Sequence, residues 1–312
     1  MANGSRHSMS YVAETSYGVT PSNPVFNPIR HTGTTLALSK ESLQSEEIRS
    51  DRQIADFRHG AFQTGGDINV ELSYGSFDDL LEAVLCGTWA ADTPALGTDQ
   101  LKAGVDRRSF TIERHFGDLL AAQKPYHRFT GVEFNTLALA VAANAMITAT
   151  FGVVGQGFET DTAQIAGATY TTATTTSPLD SFTGSLKEAG SLIAVITEIQ
   201  LNVENGLDPR FVVGSKQSIR PSIGRSNVSG TITAYFEDST LLDKFVNETE
   251  SSIEFELPDG AGNLLTFKLP RVKYNGGQPD VEGEGPITLS MPFQALLDSV
   301  TGTNLIIERT PA

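Results

Sequence analysis

Val132-Glu133-Phe134-Asn135 and Val272-Lys273-Tyr274-Asn275 share one pattern, apolar and polar in alternation and closed by asparagine, at a separation of 140 residues (272 − 132). Ile147-Thr148 and Ile287-Thr288 keep that separation although the residues between are unlike. Alternation with period two turns every second side chain to one face, so each stretch predicts a half-buried strand. A register kept across different loops predicts that a pair of strands recurs as a unit.

The correspondence extends upstream. Gly66-Asp67-Ile68-Asn69-Val70 resembles Gly230-Thr231-Ile232-Thr233-Ala234, and an acidic turn and a Leu-Leu pair follow each, Leu80-Leu81 and Leu241-Leu242. Each pair opens a segment with apolar residues at helical spacing. Phe110-Thr111-Ile112-Glu113 and Ile253-Glu254-Phe255-Glu256 supply the next strand of each half. Both halves then read strand, helix, strand, strand, strand. This predicts a mainly β chain of the α+β kind, built of two similar tandem modules with one short helix each.

Boundaries follow from composition. Residues 1–33 carry Pro21, Pro24 and Pro28 and predict an extended N-terminal arm, because proline resists both helix and ladder pairing. The first module is placed at 34–157 and the second at 186–312. Between them, 158–185 is dominated by Thr, Ala, Gly and Ser and predicts a linker or an extended surface strand.

At 312 residues the chain is long enough for two cores. Its net charge of −15 disfavours tight wrapping of a polyanion. Cys86, the one cysteine, lies in an apolar run and is expected to pack rather than pair. The longest apolar stretch, 137–149, is broken by Asn144 and is too short to span a bilayer, and the N-terminus has no secretory apolar core. A soluble product of the cytoplasm is expected.

Motifs for chemistry fail on context. His7, His31, His59, His115 and His127 show no metal-ligand spacing. Gly152-Val153-Val154-Gly155-Gln156-Gly157 lacks the following helix that would hold a phosphate. Asp280, Glu282 and Glu284 alternate like the start of a calcium loop, but Met291 stands where the bidentate acid belongs. No nucleophile elbow occurs. No catalytic residue, cofactor or metal is assigned.

One segment predicts docking. The run from Arg49 to His59 sets Ile54 and Phe57 among Arg49, Asp51, Arg52 and Arg58. A solvated loop has no use for two large apolar side chains, whereas a docking loop uses such anchors within a charged rim.

Longer runs then carry a resemblance. Tyr11-Val12-Ala13-Glu14-Thr15-Ser16-Tyr17-Gly18-Val19-Thr20-Pro21, Glu47-Ile48-Arg49-Ser50-Asp51-Arg52-Gln53, Arg58-His59-Gly60 and Tyr74-Gly75-Ser76-Phe77-Asp78-Asp79-Leu80-Leu81 resemble the major tail tube proteins of siphophages, the long non-contractile-tailed bacteriophages. Leu201-Asn202-Val203-Glu204-Asn205-Gly206-Leu207, Val213-Gly214-Ser215, Gly224-Arg225 and Val228-Ser229-Gly230-Thr231-Ile232-Thr233-Ala234-Tyr235-Phe236 extend it over most of the chain.

The resemblance implies β-sandwich or half-barrel modules whose sheets join between subunits around a lumen, in stacked rings that let double-stranded DNA pass. It implies a virion location, and as partners further copies of the chain, the tape measure protein, the tail terminator and the distal tail or baseplate proteins. A long hairpin loop at 40–62 and the arm at 1–33 would grip the adjacent ring, making Arg49, Asp51, Arg52, Ile54, Phe57, Arg58, His59, Tyr11 and Tyr17 the contact candidates. Two modules per chain suit three chains in a pseudo-sixfold ring, while single-module relatives form true hexamers. Two rivals remain. A carbohydrate-binding or adhesin-type tail module is weakened by the single Trp89, and an enzyme on a β scaffold has no residues in its favour.

Overall fold

The alternating stretches of the sequence form strands that pair in the order their spacing suggests. The structure is a computed structural model and describes residues 2–182, 184–193, 195–281 and 283–312. The first half holds β1 (His7–Ala13), β2 (Val25–Ile29), β3 (Gly33–Thr34), β4 (Ala37–Gln44), β5 (Phe57–Glu71), α1 (Asp78–Leu85), β6 (Asp99–Lys102), β7 (Phe110–Phe116), β8 (Tyr126–Ala142) and β9 (Thr148–Gly155). Next come β10 (Gly157–Asp161) and β11 (Thr169–Tyr170). The second half holds β12 (Ser185–Glu188), β13 (Ser191–Leu192), β14 (Ile196–Glu204), β15 (Asp208–Arg210), β16 (Ile219–Ser222), β17 (Asn227–Tyr235), α2 (Thr240–Val246), β18 (Ser251–Pro258), β19 (Leu264–Tyr274), β20 (Pro279–Asp280), β21 (Thr288–Ala295) and β22 (Ile306–Thr310).

Each half is organised on one long strand. The 17-residue β8 pairs along its first part with β7 and β10, then along its second with β9 and β14. In the second half β19 pairs likewise with β18 and β22, then with β21. Both long strands are lined with buried side chains, Phe129, Val132, Phe134, Leu137 and Leu139 in one, Leu265, Phe267, Leu269, Val272 and Tyr274 in the other. Aromatic contacts tie these strands to their neighbours. Phe134 meets Phe110 edge-on at 5.5 Å, and Phe255 stacks on Phe267 at 4.9 Å.

The matched registers coincide even at irregularities. Phe110 faces Val132 and Ile112 faces Phe129, a slip of one residue, and the same slip separates Ser251–Val272 from Ile253–Leu269. A second slip lies between Phe134–Val153 and Thr136–Gly152, and again between Tyr274–Phe293 and Pro279–Leu289. Ile68 faces Phe151, as Ile232 faces Met291. Bulges bend a strand and re-aim its side chains, so both halves turn their long strand by one device at one place.

Gly66 and Gly230 show why the glycine of the upstream motif recurs. A Cβ on Gly230 would lie 2.2 Å from the Gln200 carbonyl oxygen and 2.4 Å from Phe293, and one on Gly66 would lie 2.6 Å from the Thr35 carbonyl oxygen. In both halves the preceding strand passes too close for any side chain.

The extended segment 1–33 lies against the first half: β1 pairs along its length with β7 and also with β2, and Met9, Tyr11, Phe26 and Ile29 are buried. Pro21 and Pro24 fall between β1 and β2, and Pro28 lies near the end of the short β2, opposite Ser10 of β1. Residues 158–185 carry short strands and are tied to the first half as well. Arg128 is buried and donates through Nε to Glu113 at 2.8 Å, through Nη1 to Asp161 at 2.8 Å and through Nη2 to the Ala163 carbonyl at 2.5 Å. The Tyr170 hydroxyl donates to Glu113 at 2.6 Å. A buried guanidinium and carboxylate need every such partner, and the Thr-rich segment supplies several of them. Leu179 then enters the core, held by backbone bonds to Leu72 and Ile147.

The halves are joined by ladders. Residues 136–142 of β8 pair with Glu198 to Glu204 of β14, and β6 pairs with β22. The second half also bonds to α1. The Asn205 amide donates to the Val84 carbonyl at 2.7 Å, and Arg309 bonds Asp78 at the other end. Leu80, Leu81, Val84 and Leu85 are all buried, and each contributes about 1.5–3 kcal/mol. That burial, more than intrinsic propensity, stabilises so short a helix. No residue of α2 is buried.

Histidines anchor the start of β1. Arg114 Nε donates to His7 Nε2 at 3.0 Å, so the His7 proton sits on Nδ1, which faces His31 Nε2 at 2.7 Å. His31 Nδ1 then donates to the Ile29 carbonyl at 3.1 Å. Burial, with the Arg114 charge second, lowers the His7 pKa to about 4.

Gly230→Ala is expected to cost about 1–3 kcal/mol in urea unfolding, while Gly260→Ala, with open space at its Cβ, should stay within about 0.5 kcal/mol. For His7, whose folded pKa lies below the unfolded 6.5, stability is full above pH 6.5 and is lost as pH falls towards 4. The stability gap between wild type and His7→Gln, from urea midpoints, should therefore narrow from pH 7.5 to pH 5; an unchanged gap would contradict this linkage.

Candidate functional site

Strands β4 and β5 continue as a hairpin well past the body of the sheet. They pair from Ala37–Gly65 to Gln44–Phe57, with a slip between Lys40 and Ser42, and the turn occupies 45–56. Every residue from 39 to 59 is exposed. Within the turn Arg49 grips Asp51 with two bonds, at 3.0 and 2.8 Å, and Arg58 bonds Asp56 at 2.8 Å. The bond from Arg49 holds the Asp51 carboxyl below the usual carboxylate range. These surface pairs stabilise little by themselves but fix the shape of the tip.

Apolar side chains stand free on this hairpin. Ile48 is 100% exposed, Ile54 65% and Phe57 50%, and the Phe57 ring meets His59 edge-on at 5.3 Å. Leu43 joins them. Of the nine candidates from the sequence, the structure gathers Arg49, Asp51, Arg52, Ile54, Phe57, Arg58 and His59 here. Leu43 and Ile48 were missed, although Ile48 lies in a motif that carried the resemblance.

Tyr11 is corrected: it is buried in β1 and its hydroxyl donates to Asp79 at 2.9 Å. Tyr17 is half-buried beneath the Arg220 guanidinium, 5.5 Å from its ring centre. Both belong to the chain's own packing.

The second half has its own long connection, 205–226, and this one is folded down onto the first half. The Phe62 amide donates to the Lys216 carbonyl at 2.8 Å and Gln156 Nε2 to the Ser218 carbonyl at 2.9 Å. Buried Glu133 accepts from Arg220 Nε at 2.6 Å and from Arg107. The two hairpins are thus equivalent in place and opposite in state, one docked and one free.

Other motifs form no reactive centre. Gly155 and Gly157 end β9 and begin β10, with strand on both sides. Glu282 of the acidic turn lies outside the described residues, and among those described no group of three or more metal-binding side chains occurs. The Trp89 ring is covered by Arg309 at 4.6 Å, which closes the face a sugar would stack on. Among the described residues no helix is long and apolar enough to cross a membrane.

Comparison with known proteins places this geometry. No curated protein matches the chain. The sequence model of the phage tail tube proteins matches residues 4–295, from the start of the first half through β21 of the second and including both hairpins. That family is a structural one of the phage tail, not a class of enzymes. The chain, with its mainly β fold, belongs to the family of phage tail tube proteins.

Proposed function

We propose that this chain is the repeating subunit of a hollow tail tube, assembled as rings stacked along the tail, through which double-stranded DNA passes. The observation that carries the stacking is the free hairpin. Leu43, Ile48, Ile54 and Phe57 expose apolar surface on the outer part of a pair of strands, 39–59, where every residue is exposed. Apolar anchors inside a rim of charged side chains are what a docking element needs, and water is a poor partner for them.

Each chain brings two similar halves, so three chains give six quasi-equivalent places around a ring. The hairpin tips of one ring seat against the next. A net charge of −15 suits a conduit for DNA, since a wall poor in clustered cations does not hold a polyanion in transit. The tape measure protein, the tail terminator and the distal tail proteins meet the ends and lumen of such a tube.

Ile54→Asp with Phe57→Asp tests the hairpin. Both residues are exposed, so the thermal midpoint of the dilute protein should stay within about 2–4 °C of wild type, the shift that ~1 kcal/mol gives a chain of this size. Electron microscopy of the concentrated variant should show single rings or unassembled chains where wild type forms long tubes. Tubes of wild-type length from the double variant would overturn the stacking role.

A further inference from the structure

The junction between the two halves of one chain reads as a pattern for a second junction that the chain leaves open. Within the chain, 136–142 of β8 lie beside β14, in the pairs Val141–Ile199, Leu139–Leu201, Ala138–Asn202 and Leu137–Val203. Both sides have a counterpart in the other half. On one side, β20 pairs with β21 at Pro279–Leu289, as β8 pairs with β9 at Leu139–Ala149. On the other, Thr34 faces Ile68 as Ile199 faces Ile232, and Ala37 faces Gly65 as Asn202 faces Ser229. Residues 276–281 therefore stand where 136–141 stand, and 34–39 stand where 199–204 stand.

Neither counterpart has a second strand beside it. Among the described residues β20 pairs with β21, and β3 and β4 pair with β5; on the outer side of 34–39 only Leu36 is engaged, its amide by Thr34 Oγ1 at 3.1 Å and its carbonyl by Arg114 Nη1 at 2.6 Å, at the place that would face Pro279. The helix beside the open edge tells the same story. Leu80, Leu81, Val84 and Leu85 of α1 are buried, and Asn205 and Arg309 of the second half bond to this helix at Val84 and Asp78, while Leu241, Leu242 and Phe245 of α2 are only half-buried and Val246 is 66% exposed. Leu38, at the place of the buried Val203, is also half-exposed.

We propose that neighbouring chains meet as the two halves of one chain meet: 34–39 of one chain lie antiparallel beside 276–281 of the next, which also covers α2, with Ala37 opposite Gln278. This rests on the tube reading and adds to it which edges close the ring and in what register. The occupant is a second copy because the missing strand is one the chain carries and leaves unpaired. The new ladder is also weaker than its template. In β8 the odd-numbered residues bond to β14, as Ala143 N to the Thr197 carbonyl at 2.8 Å shows, and at the place of Leu139 stands Pro279, with no N–H to give. Proline and the adjoining Gly276 and Gly277 keep this edge from pairing readily in free subunits.

Disulfide trapping tests the register. Ala37 and Gln278 are exposed, and the native Cys86 is buried. Directly opposed Cα atoms on antiparallel strands lie about 4.5–5.5 Å apart, within disulfide reach. Tubes of the Ala37→Cys, Gln278→Cys variant, once oxidised, should run as covalent oligomers on denaturing gels. Tubes of Ser39→Cys, Gln278→Cys, one diagonal step away, should cross-link at least tenfold less. Wild-type protein gives an independent readout: on assembly, amide exchange should slow at 34–39 and at 240–246. Tubes that form without the first cross-link and without the slowed exchange, or that favour the second pair, overturn this junction and leave the tube intact. Wild-type protein that forms no tube at all overturns the tube reading itself.

Discussion

A strand cannot leave its edge unanswered: each exposed N–H and C=O must find water or another strand, and a row of them is a template for pairing. In this chain that constraint is met by unequal means in the two halves. The first half has its second-part edge on β8 closed by β14, and its buried helix is bonded at Val84 and Asp78 by Asn205 and Arg309 of the second half. The second half repeats the same strands in the same registers but has no third half to close it. The structure is a series cut short at both ends, and what it lacks at one end it presents at the other.

Much of this was legible in the sequence because strands advertise themselves by alternation. The match of Val132-Glu133-Phe134-Asn135 with Val272-Lys273-Tyr274-Asn275 proved to be a match of ladders, down to the slip that follows Phe134 and Tyr274. Gly66 and Gly230 were visible as aligned letters, but their reason, a carbonyl within 2.6 Å of any Cβ, needs coordinates. Both helices follow from their Leu-Leu pairs. That one would be buried and the other left half-bare does not, since burial depends on which half has a neighbour.

Composition marked two segments as extended but not what holds them in place. Residues 1–33 and 158–185 pack on the first half because a few residues in each meet a need elsewhere. Asp161, Ala163 and Tyr170 complete the shell around Arg128 and Glu113, and Tyr11 finds Asp79. Composition averages over such residues and so hides them. Of the contact candidates, the charged and apolar residues of the hairpin were found from their mixture, whereas Tyr11 and Tyr17 were carried by resemblance and lie within the chain's own packing.

The central claim is that sister copies supply the strand each chain is missing. A cryo-EM map of the assembled polymer, at a resolution that separates strands, measures this directly. The account predicts one sheet running unbroken across each chain boundary, with strands spaced about 4.8 Å apart there as elsewhere and 34–39 seated beside 276–281. Chains that meet through side chains alone, with water between their strand edges, would contradict it.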